Sequence, residues 1–328
     1  MEISNNAMAI IILCSQLAVT EDIKPLNSAE YSKLAITLRE NQMEPYDLLS
    51  LSKEELSSRL FLDINLLNRI EKLISRSANI TFELDKLYRI GIKIVTRADN
   101  QYPKILKNKI KHYCPPLFYY AGNLELTKQP LIGMVGSRKI DDVDIEFTTQ
   151  IVKKIINQNM GVVSGGAKGI DSTATIEALN IGGYAVEYLS NGLQQKIKKL
   201  EIIQAIRDDK LLILSETNPK SRFDVGFAMK RNKYIYGTSQ ATIVVKSDFN
   251  KGGTWAGAIE NLNKKNNWSK IYCWNNPNYK GNIELIKKNA LPIDENWKFD
   301  IESFKTYSGT KSSPIQLSIF DNEFNYDS

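Results

Sequence analysis

Residues 131–174 read LIGMVGSRKIDDVDIEFTTQIVKKIINQNMGVVSGGAKGIDSTA. Two apolar runs, Leu131 to Val135 and Gly161 to Val163, each stop at a glycine-bearing turn, and a stretch of helical period follows each one. The first turn is Gly136-Ser137-Arg138; the second is Ser164-Gly165-Gly166-Ala167-Lys168-Gly169. Strand, turn and helix repeated in this way describe a parallel sheet, which sets both turns at its carboxyl edge, where doubly wound folds take ligands. Glycines let the backbone approach an anion, helix N-termini present free N–H groups, and Arg138 and Lys168 add positive charge. One such turn is weak support; two in register define an anion-binding edge.

The repeat extends in both directions. Apolar runs fall at 92–96, 117–120, 131–135, 161–163, 184–189, 211–214, 241–245 and 270–274, and stretches of helical period such as 143–156, 195–207 and 254–265 separate most of them. The runs are nearly all apolar, as strands buried on both faces require. The fold class is therefore α/β, with a mostly parallel, doubly wound sheet. Residues 1–90 are helical in pattern without a clear strand: Tyr31, Leu34, Ala35 and Leu38 share one face, as do Ile64, Leu67, Ile70 and Leu73, with Asp63 as N-cap of the second helix. The expected organisation is a small helical N-terminal domain over 1–90, the sheet domain over 91–296, and a flexible polar tail over 297–328. The apolar run from Ala7 to Cys14 is too short to span a bilayer and has no basic start, so it reads as a buried helix.

Composition narrows the function. The 328 residues are 42% hydrophobic and 24% charged, with a formal charge of +6, which permits a polyanionic partner without demanding one. Cys14, Cys114 and Cys273 match no metal spacing and fit a reducing cytoplasm. His112 is the single histidine and sits away from any strand end, which argues against metal hydrolases and Ser-His-Asp catalysis. No metal, cofactor or membrane is expected.

Three further stretches bear on the edge. Lys251-Gly252-Gly253-Thr254 follows the run ATIVVKS and opens a helix, giving a third strand-end turn and a groove longer than a mononucleotide needs. After the strand at 211–216, Lys230, Arg231, Asn232 and Lys233 lie behind Phe223 and Phe227. Aromatics interleaved with cations suit single-stranded nucleic acid, where bases stack and phosphates are neutralised; an amphipathic helix with its phenylalanines in the core is the alternative. Asp171, in the first turn of its helix, reads as a dipole partner. Neither a Walker A loop nor GxGxxG is present, so a nucleotide triphosphatase is not supported.

Taken in order, Tyr102-Pro103, Leu117 to Asn123, Val135-Gly136-Ser137-Arg138, Ser164 to Asp171, Leu214-Ser215-Glu216, Phe227 with Arg231-Asn232, and Gly281-Asn282 with Leu285-Ile286 resemble the DNA-processing protein A (DprA/Smf) family. The match runs over roughly 88–292. The resemblance implies an extended Rossmann-like domain that binds single-stranded DNA and passes it to a RecA-type recombinase, a helical SAM-like N-terminal domain, and a homodimer. It implies that Gly136, Ser137, Arg138, Ser164, Gly165 and Gly166 hold phosphates, with Lys168, Lys230, Arg231 and Asn232 lining the same groove. The chain departs from the family where Ala174-Thr175 replaces Ala-His and where Gly252-Gly253-Thr254-Trp255 replaces Gly-Ser-Leu. It is similar to a divergent member without a C-terminal winged-helix domain, of transformation, recombination or phage defence. The Gly-Gly-Thr with Glu260 beyond it also resembles the related phosphoribohydrolases, which cleave a nucleotide N-glycosidic bond. Finally, Gln316-Leu317-Ser318-Ile319-Phe320 resembles the peptide that binds the DNA polymerase sliding clamp; a segment docking on the domain itself is the other reading.

Overall fold

A computed structural model of the chain describes residues 3–20, 23–264 and 267–298. Gln316 to Phe320, and nearly all of the tail expected from 297, lie outside them. Six helices come first: Asn5–Cys14 (α1), Ser28–Glu40 (α2), Asp47–Ser50 (α3), Lys53–Leu60 (α4), Ile64–Ser75 (α5) and Ser77–Arg89 (α6). α1 is apolar around nearly its whole circumference and is buried accordingly. Asn27 with Glu30 and Ser52 with Glu55 form capping boxes on α2 and α4, and Asp63 caps α5 through the amide of Asn65 at 2.8 Å. Between α5 and α6 the buried Arg76 donates to the carbonyls of Ile12, Ser15 and Leu17, which satisfies the C-terminal end of α1.

The strands and helices that follow are Lys93–Thr96 (β1), Lys104–Ile110 (α7), Leu117–Ala121 (β2), Leu131–Val135 (β3), Asp142–Ile156 (α8), Gly161–Ser164 (β4), Ile170–Asn180 (α9), Ala185–Leu189 (β5), Leu200–Arg207 (α10), Leu211–Ser215 (β6), Val225–Thr238 (α11), Ala241–Val244 (β7), Gly252–Leu262 (α12), Lys270–Trp274 (β8), Lys280–Lys287 (α13) and Leu291–Ile293 (β9). They build one sheet in the order β1-β2-β6-β5-β4-β3-β7-β8-β9. β1 and β2 run antiparallel and every pairing from β6 to β9 is parallel. The chain winds outward from β3 through β4, β5 and β6, then crosses to β7 on the other side of β3. The switch point is thus between β3 and β7, the position at which open α/β sheets bind ligands.

Period-two alternation sends the strand side chains to two faces. Val95, Phe118, Tyr120, Val163, Tyr188, Leu212, Leu214 and Val244 face α7, α11, α12 and α13. On the other face, Ile132, Met134, Val162, Ile243 and Val245 pack under α8 and α9. The rest of that face, Ile94, Leu117, Tyr119, Leu189 and Ile213, is covered by α10 and the six N-terminal helices, whose apolar residues run with it in one continuous core. The helical segment 1–90 is therefore a layer over half of one sheet face. At the far edge, Ile293 accepts the amide of Asn275 at 2.8 Å, so Pro292 turns its ring nitrogen away from β8. Among the described residues, no helix is long and apolar enough to cross a membrane.

Candidate nucleic-acid interface

All three glycine turns lie at the carboxyl edge of the parallel strands, and they lock into one another. Ser137 accepts the amide of Ile170 at 3.2 Å, tying the first turn to the start of α9. Thr254 Oγ1 donates to the carbonyl of Gly136 at 3.0 Å, tying the third turn to the first across the switch point. Asn232 Nδ2 donates to the carbonyl of Gly253 at 2.9 Å, bringing α11 against the same place.

Two of the glycines permit close approach. A Cβ on Gly169, whose φ is 91°, would lie 2.3 Å from the carbonyl oxygen of Ser137, and one on Gly165 would lie 1.3 Å from Nη1 of Arg231. The second contact explains a residue that sequence reading assigned to the groove. Arg231 is 6% exposed, and its Nη1 donates to Asp171 Oδ2 at 3.3 Å. Burial pushes the Asp171 carboxyl up from its ordinary range while Arg231 pulls it back down. Arg231 thus braces the cradle from within, and Asp171 is its counter-ion. Ser164 is also fully buried, its hydroxyl beside that of the buried Thr175 at 3.3 Å.

The exposed groups are a different subset. Arg138, Lys168 and Lys230 reach solvent, and the guanidinium of Arg138 lies 4.7 Å from the centroid of Phe223, which is 49% exposed. Lys230 lies 5.0 Å from the ring of half-buried Phe227 and 3.9 Å from Glu216. Neither phenylalanine enters the core, so the amphipathic alternative does not describe this helix. Burial raises the Glu216 carboxyl, against the pull of Lys230 and a 2.8 Å hydrogen bond from Tyr234. A cavity of about 450 Å³ opens beside Phe227, lined by Gln16, Thr217, Asn218, Lys220 and Ser221. Ser137 Oγ accepts the amide of Lys139 at 3.0 Å, which shapes the first turn.

Helix ends divide in the same way. Asp141 and Asp224 cap α8 and α11 by accepting the amides of Asp144 and Phe227. No side chain caps α9 or α12, which begin at the second and third turns. At Gly252, φ is 81° and a Cβ would meet open space, and Gly252 and Gly253 are both exposed where α12 begins.

Sequence reading missed Lys196, which pairs with the buried Glu187 of β5 and lies 3.5 Å from the carbonyl of Gly166. The signal was the single carboxylate inside the apolar run AVEYL. Glu260, the carboxylate of the phosphoribohydrolase reading, is gripped by Lys233. Among the described residues no cluster of His, Cys, Asp and Glu could hold a metal, and the three cysteines are buried.

A family model described as DNA recombination-mediator protein A matches residues 93–301. The chain is 30% identical to Protein Smf of Synechocystis sp. over 189 residues, 54% of this chain and 46% of that protein. It is 31% identical to DNA processing protein DprA of Streptococcus pneumoniae over 139 residues, 42% of this chain and 49% of the relative. The matched region thus spans about half the length of these two relatives. The crystal structure of Streptococcus pneumoniae DprA superposes with a TM-score of 0.68 at 21% identity, covering 89% of this chain and 95% of its own. A Helicobacter pylori DprA structure, reported for its single-stranded DNA binding mode, superposes with a TM-score of 0.53 at 21% identity, covering 66% of this chain and 95% of its own. Both share the fold described above.

Proposed function

The chain belongs to the DNA recombination-mediator protein A family, and from that premise we propose that it is a non-enzymatic protein of DNA processing that holds single-stranded DNA along the carboxyl edge of its sheet. The observation that carries this reading is the Arg138–Phe223 pair standing open beside three interlocked glycine turns. A guanidinium pairs with phosphate, an aromatic face accepts any base, and the amides that begin α12, which no N-cap side chain takes up, add donors without reading sequence. The relative from Helicobacter pylori, whose single-stranded DNA binding is named with its structure, lends the same reading support.

Arg138→Ala removes one charge-assisted phosphate contact and one side of the stacked pair. Its affinity for an oligothymidylate should fall about tenfold, and the slope of log affinity against log salt should flatten by about 0.7. Fluorescence anisotropy across a salt series measures both, with nucleoside monophosphates as competitors. Unchanged affinity in this variant would sink the proposal.

The nucleotide-cleaving alternative needs a free carboxylate close to the turns. Glu260 is instead neutralised by Lys233, and it lies eight residues along α12 from Gly252, about 12 Å at helical rise. A homodimer, delivery of the strand to a RecA-type recombinase, and attachment to the sliding clamp through Gln316 to Phe320 complete the proposal.

A further inference from the structure

One strand beyond the switch point, the loop after β7 holds Phe249 at 37% exposure. The ring is not loose. Trp255 meets it edge-on with centroids 5.1 Å apart, and Lys280 Nζ lies 5.1 Å from its centroid. Asn250 adopts φ 53° to turn the chain back, and Lys251 stands exposed before the uncapped start of α12.

The loop is fastened to α13 by Gly281 and Asn282, a motif of the sequence that the three-turn cradle leaves without a task. Asn282 Oδ1 accepts the amide of Ser247 at 2.8 Å, and its Nδ2 donates to the carbonyls of Val245 at 2.8 Å and Trp274 at 2.9 Å. A Cβ on Gly281 would lie 2.1 Å from the carbonyl oxygen of Ser247, so only glycine lets the two backbones touch. Together these contacts hold Lys280 over Phe249.

We propose that Phe249, Lys280 and Lys251 form a further nucleotide subsite, in which one base of a single strand stacks on Phe249 while adjoining phosphates meet Lys280 and Lys251. The inference rests on the single-strand reading and lengthens its track. Lys230 with half-buried Phe227, and Arg138 with Phe223 and Lys280 with Phe249, whose rings are open to solvent, are three pairs of a cation over a ring. A patch of one ring among cations is too small and too charged for a protein-docking core, and it has the two components that a polynucleotide needs. From β4 to β8 the edge runs three strand spacings, about 14 Å. The strand therefore continues past the switch point before leaving the surface.

The test compares full-length wild type with Phe249→Ala and Lys280→Gln, using oligothymidylates of about 4 and about 16 residues, the span of site sizes known for single-strand grooves. The short oligonucleotide fills the cradle at Arg138; the long one also reaches Phe249. Phe249→Ala should weaken the long ligand about fivefold or more while leaving the short one unchanged. Phe249→Tyr should retain wild-type affinity, and Lys280→Gln should flatten the salt slope for the long ligand by about 0.7. Thermal melting confirms that each variant is folded. Equal affinity of Phe249→Ala and wild type for both lengths overturns the proposal, as does an equal loss for both. A wild type that binds neither length refutes the single-strand reading itself, a distinct result.

Discussion

Arg138 and Arg231 carry the same guanidinium, one open over Phe223 and the other enclosed against Asp171 with Gly165 beneath it. Sequence reading placed both in the groove. What separates them is burial, and burial of Arg231 depends on a glycine that the fold brings over from β4; no local pattern around residue 231 records it. The same holds for Asp171, read as a dipole partner and found as a counter-ion. Removing one member of a buried pair strands the other charge. Arg231→Met should therefore destabilise the protein by about 3–5 kcal/mol in urea unfolding, and adding Asp171→Asn should restore much of that loss. A single variant as stable as wild type would refute the bracing role.

Elements were legible where periodicity had room to show. Eight apolar runs became β1 to β8, and Asp63 caps α5 as its position predicts. β9 spans three residues with a proline among them, too short for alternation to be seen. α7 and α13 are also short, and their residues register as helix only once docked. α7 has a second consequence. Its half-buried Lys109 donates at 2.7 Å to the carbonyl of Ser239, at the C-terminal end of α11, where a cation suits the helix dipole. Burial pulls the Lys109 ammonium down to about 8. An unfolded lysine titrates near ~10.4, so between those values the unfolded chain binds the extra proton and wild-type stability rises with pH. Relative to Lys109→Met, wild type should gain stability between pH ~7 and pH ~10.5 in urea unfolding. Parallel profiles for the two proteins would show that Lys109 keeps its ordinary proton affinity.

At the scale of the molecule, the sequence separated a helical segment from a sheet segment but did not reveal how they meet. Ile94 and Tyr119 look like any strand residues, and only the fold shows that the N-terminal helices cover them. A chain beginning at residue 91 would expose Ile94, Leu117 and Tyr119 together. It should bind a hydrophobic dye strongly and aggregate on gel filtration; a soluble monomer with cooperative melting would show that the sheet face is stable uncovered. The opposite border of the sheet bears on assembly. Among the described residues β9 is the outermost strand there, and its outward main-chain position belongs to Pro292, which has no hydrogen to give. A foreign strand arriving at that side finds no ladder to extend. Copies of the protein that meet at that border must do so through helices or side-chain surfaces, and runaway fibre growth by strand addition is closed off there.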